Sequence, residues 1–262
     1  MTLLVLKVLL APAFVVGISL VARRFGARAA GIVGGLPVIA GPILLVVAIE
    51  RGHAFAAAAA RGTVLGVVPL IGFVLVYAAI ARRSGWPLAV GGGWAAFFAL
   101  VAVIRGVHVG SGPALALAVG ACVAGAALLP NRPAAGVAAP LPRWDLPARA
   151  VCAVVPVVVI TAAATTLGPR LTGILASFPI LMPVVTAFTH AHSGEREAVR
   201  LLRGFTVGFV AYASFCFVVS VAVDGLGVAA AFLVASTTAL AVQAVVVVAS
   251  VGRPRLGLAS GG

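Results

Sequence analysis

Charge is what this chain has least of. Only 9% of its 262 residues are charged, and only five residues are acidic. A soluble domain carries about 25% charged residues, so this chain cannot cover a water-facing surface, and lipid must be its main solvent. The scarcity of acids also removes most enzyme chemistry. There is no acidic pair, and G-x-S-x-G, H-E-x-x-H and the phosphate-binding G-x-x-x-x-G-K-[ST] are missing. The expectation is a non-enzyme with no cofactor. Cysteine is equally sparse. Cys122, Cys152 and Cys216 all fall in apolar runs without C-x-x-C spacing, which fits small buried hydrophobes and excludes a disulfide framework. His190 and His192 flank Ala191 but have no third ligand nearby in sequence, so an interfacial polar pair is expected and no metal site.

What is abundant is apolar sequence, 63% of the chain, carrying a net charge of +13. The basic residues stand in short clusters between apolar runs, as topology signals do, and not in a nucleic-acid-binding stripe. A spanning helix needs about 20 apolar residues. Runs of that kind cover roughly 3–21, 29–49, 62–81, 86–104, 112–129, 147–166, 171–191, 204–222 and 226–250, which predicts an all-α polytopic integral membrane protein of about nine transmembrane helices. The first run has its arginines after it, whereas a secretory signal peptide has them before, so it reads as a retained helix. The one long connector, 130–146, is proline-rich and reads as an exposed linker. Connectors after odd-numbered runs hold Arg23, Arg24, Arg28, Arg82, Arg83, Arg132, Arg143, Arg149, Arg196, Arg200, Arg203, Arg253 and Arg255, while the opposite face holds Lys7, Arg51, Arg61, Arg105 and Arg170. That bias puts the N-terminus outside and the C-terminus in the cytoplasm, a result that needs an odd number of spans.

The chain also repeats itself. Residues 26–66 align without a gap on 168–208, an offset of 142 that pairs Gly31 with Gly173, Pro37 with Pro179, Gly52 with Gly194, Arg61 with Arg203 and Gly66 with Gly208. The same register pairs Lys7 with Arg149. Two Arg-Gly dipeptides and a mid-helix proline in one register point to duplication. Each repeat holds four runs with a fifth between them, and an odd spacer inverts the second copy. The expected organisation is 1–105 as a first four-helix repeat, 106–146 as a linker helix and Pro-rich loop, 147–251 as a second, inverted repeat, and 252–262 as a short cytoplasmic tail.

Inverted repeats place substrate sites near the bilayer midplane, where discontinuous helices expose backbone carbonyls. The second run carries Pro37, Gly41 and Pro42 near its centre, and the seventh carries Ser177, Pro179 and Pro183 at similar depth. Each proline removes a donor and disturbs the preceding turn, so carbonyls near Val33, Val38 and Leu175 are expected to lose helical partners. Simple packing kinks would explain the same prolines. These six residues and Gln243 in the ninth run form the candidate substrate pocket. Arg61 and Arg203 begin helices at opposite mouths and read either as snorkelling interfacial charges or as gates or anion-binding groups, with Glu50 as the partner of Arg61 and Glu195 or Glu197 as the partner of Arg203. Gly31-x-x-x-Gly35, Gly62-x-x-x-Gly66 and Gly204-x-x-x-Gly208 have the spacing of close helix contacts, and contact between the second and seventh runs is expected. No Asp or Glu falls in the middle of a run, which argues against a deeply buried carboxylate carrying protons or sodium.

Lys7, the stretch Ala30-Gly31-Ile32 through Pro37, and Glu50-Arg51-Gly52 leading to Pro69 make the unit from Lys7 to Ala81 resemble the GlpM-like family of small bacterial inner-membrane proteins. The second repeat keeps Gly173, Pro179 and Gly194 but has His192-Ser193 in place of Glu-Arg. The resemblance implies a fused, inverted pair of such units in a bacterial cytoplasmic membrane, and it names no substrate.

The expected function is a small transporter or permease with a midplane site between broken helices two and seven, taking an anionic or lipid-phosphate substrate. Alternatives are a non-catalytic scaffold or accessory subunit of a membrane enzyme, or a channel. The expected partners are the lipid bilayer and a small molecule, with no nucleic acid. The length of the last run allows a homodimer contact.

Overall fold

The computed structural model describes residues 2–38, 40–131, 144–152 and 181–251. Every regular element among these residues is an α-helix: α1 Thr2–Phe25, α2 Ala27–Gly34, α3 Ala40–Arg51, α4 His53–Leu65, α5 Val67–Ala81, α6 Trp86–Ile104 and α7 Ser111–Leu128. Residues 145–152 form α8. The helical stretch Leu181–Val251 is divided by non-helical backbone at Gly194 and Gly227, giving α9 (181–193), α10 (195–226) and α11 (228–251). Among the described residues, four stretches are long and apolar enough to cross a membrane: His53–Ala81, Trp86–Ile104, Ser111–Leu128 and Leu181–Ala249.

The helix boundaries follow from local chemistry. Arg51 ends α3 and His53 begins α4, so Gly52 alone turns the chain, at φ 84 and ψ 170. Only glycine occupies that region freely. α4 starts at His53, nine residues before the apolar run expected at 62, because the intervening stretch is dominated by alanine, the best helix former. Gly66 stays helical at φ −62 and ψ −13, so α4 and α5 continue one another. α10 likewise begins in polar sequence, where Glu197 Oε1 accepts from Arg200 Nη1 at 2.9 Å one turn away.

The second apolar run is broken, as its proline predicts. α2 closes with Gly35 N–H donating to the Gly31 carbonyl at 3.0 Å and Leu36 N–H to the Val33 carbonyl at 3.1 Å. The helix resumes when Gly41 N–H donates to the Pro37 carbonyl at 2.8 Å. Pro37 offers no N–H to bridge the gap. Pro42, third in α3, is tolerated because first-turn N–H groups have no intrahelical acceptor.

The core is organised on α10, whose Leu201, Leu202, Phe205, Ala211, Ala213, Cys216 and Val219 are buried. α2 crosses it at the closest approach two helices can make. A Cβ on Gly31 would stand 2.8 Å from the Gly204 Cα, and one on Gly35 2.6 Å from the Gly208 Cα. Conversely, a Cβ on Gly204 or Gly208 would lie 2.9 or 3.0 Å from the Cα of Gly31 or Gly35. Two small-residue motifs therefore face each other across one seam, and only hydrogen atoms fit between the backbones. This described contact joins the second and eighth runs. The expected partner segment of the seventh run, 171–180, lies outside the described residues, as do Ser177 and Pro179.

Two expectations of placement are corrected. Cys152 is exposed, whereas Cys122 and Cys216 are buried. The linker reading of 130–146 fails at its end, because Asp145 opens α8 and is fully buried. A buried acid therefore exists where none was expected, because α8 begins inside the stretch that its prolines marked as loop.

Candidate functional site

Three arrangements involve the sequence-nominated residues or their neighbours. The first surrounds the α2–α3 break. Gln243, on α11 and only 7% exposed, donates from Nε2 to the Ile32 carbonyl at 2.7 Å. That carbonyl lies one turn before the break and receives only a long contact, 3.3 Å, from the Gly35 N–H. The side-chain amide thus completes a backbone acceptor that the break leaves underbonded. Gln243 Oε1 is buried and has no hydrogen-bond partner. The break faces the middle third of α10, since Gly35 abuts Gly208 and a Cβ on Gly41 would meet the Phe215 ring at 3.4 Å. Phe215 itself packs edge-on against Phe232 of α11, centroids 5.9 Å apart. Pro37 and Pro42 are half-buried at the break, while Pro183 is buried in α9. Of the seven nominated pocket residues, Pro37, Gly41, Pro42 and Gln243 are thus brought to α10 and α11 around one interruption.

The second arrangement uses the paired arginines. Arg61 on α4 donates from Nε to Ser111 Oγ at 3.1 Å, at the first residue of α7. Arg203 on α10 donates from Nη1 to the Leu129 carbonyl, just past the last residue of α7. Positions 142 apart in sequence thus hold opposite ends of the intervening helix. At 1.5 Å per residue, that helix of 18 residues is about 27 Å long, close to the roughly 30 Å of a bilayer core. Glu50 is exposed and Glu195 half-buried. Arg61 bonds Ser111, and Glu197 pairs with Arg200.

The third arrangement was not expected. Asp145 Oδ2 accepts from Arg149 Nε at 2.9 Å, one turn along α8, and from Arg23 Nη2 of α1 at 3.3 Å. Arg149 is 3% exposed. Its Nη1 reaches Ser19 Oγ of α1 and the Val185 carbonyl of α9, each at 3.5 Å, and its guanidinium lies 5.2 Å from the Phe188 ring centroid. His192 Nδ1 stands 2.9 Å from the Phe188 carbonyl and 3.5 Å from Asp145 Oδ1. A single buried carboxylate therefore ties α1, α8 and α9 together. The i,i+4 spacing of Asp145 and Arg149 was the one available signal for it. His190 points elsewhere, with Nδ1 at 3.2 Å from the Tyr77 hydroxyl of α5, so the two histidines serve different partners. Among the described residues no group of three potential ligands could hold a metal ion.

No protein-family model, characterised protein or solved structure matches this chain.

Proposed function

We propose that the chain is a small transporter or permease of a bacterial cytoplasmic membrane, with nine spans, an external N-terminus and a second repeat inverted relative to the first. On this reading it is a fused pair of GlpM-like units. Its substrate site lies near the midplane between the broken second and seventh runs. The observation that carries the reading is the α2–α3 interruption opposite the middle of α10, braced by Gln243 on the Ile32 carbonyl. Discontinuous helices near the midplane are how transporters built from inverted repeats form their sites. The attachment of Arg61 and Arg203 to opposite ends of α7 supports inversion, because equivalent positions then face opposite sides of the membrane. The arginines at both mouths favour an anionic or lipid-phosphate substrate, with Arg61 and Arg203 as gates. Alternating access would rock the repeats about α7.

A second reading draws on the glycine seam. The contact of α2 with α10 leaves no room between the backbones, and a dry, packed midplane suits a scaffold or accessory subunit. Thermal unfolding of the detergent-purified chain against a panel of anions, phosphorylated lipids and cations separates the two. A ligand of the folded state raises the melting temperature by mass action. A hit abolished in Gln243→Leu supports the midplane site. Absence of any shift across the panel, with no flux in reconstituted vesicles, favours the scaffold.

A further inference from the structure

The two oxygens of Asp145 are unequally served. Oδ2 takes both arginines, Arg149 Nε at 2.9 Å and Arg23 Nη2 at 3.3 Å. Oδ1 is buried with no hydrogen bond, and His192 Nδ1 is the group facing it, at 3.5 Å. A buried carboxylate oxygen without a donor is costly. The imidazole is arranged to supply one. Nδ1 faces two acceptors, the Phe188 carbonyl and Asp145 Oδ1, so Nδ1 carries the hydrogen and Nε2 holds the free lone pair. His192 is 21% exposed, which gives Nε2 a route to solvent protons. Its ring lies against Trp144, centroids 5.7 Å apart at 60°, and is stacked on Phe188 at 6.2 Å.

The geometry points to a proton-binding site at this mouth. His192 takes up a proton at Nε2, and the resulting imidazolium closes its Nδ1–H onto Asp145 Oδ1, drawing α9 onto α8 and α1. The proton comes from solvent and no other bond changes. Among the described residues, the charged groups tied to the carboxylate that the ring faces are Arg149 of α8 and Arg23 of α1; His190 of its own helix and Glu195 at the start of α10 are the titratable groups nearest to it along the chain. Both arginines oppose a further positive charge, but both are engaged on Oδ2, on the far oxygen from the ring. As the coupling ion of transport, the proton rests on the function proposed above. As a bound ligand it does not.

Trp144 supplies a direct readout, because an imidazolium beside an indole quenches its fluorescence. The full-length chain carrying Trp86→Phe and Trp94→Phe is titrated in detergent. The expected result is a reversible loss of Trp144 emission on acidification. His192→Gln abolishes the loss, and Asp145→Asn moves it to lower pH, since the imidazolium loses its anion. An identical loss in His192→Gln, or a midpoint indifferent to Asp145→Asn, overturns the proposal. Should Asp145→Asn fail to fold, His192→Gln decides alone, since a partly exposed ring is replaced by a neutral side chain of similar reach. The assay needs no substrate. A fluorescence transition without transport sinks the transporter reading alone, and transport without the transition sinks the proton site alone.

Discussion

Gly52 and Gly194, 142 positions apart, turn the chain with the same backbone geometry, φ 84 with ψ 170 and φ 84 with ψ 172. Each stands alone between two helices, α3 and α4 in one case and α9 and α10 in the other. Gly26 and Gly227 join helices in the same backbone region, at φ 87 with ψ 164 and φ 75 with ψ 168, so this conformation is the chain's general way of turning between abutting helices.

Substituting either glycine tests that equivalence. A Cβ at either position meets nothing within 4 Å, so any loss is backbone strain and not collision. Residues with side chains in this region carry a strain of order 1–3 kcal/mol. Gly52→Ala and Gly194→Ala should each lower the unfolding free energy by that amount. Asn should not rescue, because ψ near 170 lies outside the left-handed helical well that asparagine tolerates. Denaturant unfolding in mixed micelles reads all four variants. No destabilisation at either glycine would remove the conformational argument.

The glycine seam gives a contrast within one residue type. Gly31→Ala and Gly204→Ala push a methyl group into the facing backbone, at 2.8 and 2.9 Å from a Cα. Overpacking of this kind costs about 1–3 kcal/mol or more. Gly120→Ala in α7 meets nothing within 4 Å and should be neutral or stabilising by about 0.5–1 kcal/mol through helix propensity. Melting temperatures of the three variants must diverge in sign or size. Equal shifts would mean that the seam is not a close contact in the membrane-extracted protein.

Much of this was readable in the residues and some was not. The all-helical class and the interruption at Pro37 follow from spacing and from the missing proline donor, which act locally. The seam motifs were readable too, but not which helices they join. Partner choice is a tertiary property, and Gly31 meets Gly204 through a crossing that spacing does not encode. Gln243 was nominated only as a polar residue in an apolar run, and its bond to the Ile32 carbonyl links residues 211 apart. Asp145 was missed because prolines in 130–146 marked the segment as loop, whereas the last residues of that segment begin a helix whose first charge is buried.

Gln243→Leu separates packing from polar support. The substitution keeps volume and removes the donor to Ile32, leaving a buried carbonyl underbonded, at about 1–3 kcal/mol. Gln243→Glu keeps the shape and loses the same donor, while adding a charge to a site 7% exposed, and should be worse than Leu. Thermal melts rank the pair. If Leu matches wild type in stability, the amide serves no structural bond, and a change confined to substrate response then assigns it to the pocket.

The two arginines should differ in stability and agree in function. Arg203 is half-buried and donates to the carbonyl of buried Leu129, so Arg203→Ala removes a donor from a buried carbonyl and should lower stability by about 1–3 kcal/mol. Arg61 is exposed on Ser111, and its loss should leave the melting curve unchanged. If they gate the two mouths, as proposed above, both should nevertheless alter flux in reconstituted vesicles. A flux defect in Arg203→Ala alone, tracking its stability loss, would reduce both to structural contacts.

The buried pair on α8 makes the sharpest prediction about stability, because its two partners depend on one another. Asp145 is 0% and Arg149 3% exposed, so removing either strands a charge in the interior. Breaking such a pair from one side costs about 3–5 kcal/mol, whereas replacing both partners with apolar residues of similar volume is often neutral or stabilising. Asp145→Leu and Arg149→Met should each be severely destabilised, and the double substitution should recover most of the loss. Arg23 limits the recovery only modestly, since at 37% exposure it can turn to water once its carboxylate is gone. A double-mutant cycle by denaturant unfolding gives the coupling directly. Additive losses would mean that the two side chains do not form an interdependent pair, and the tie between α1, α8 and α9 would then have to rest on packing around Phe188.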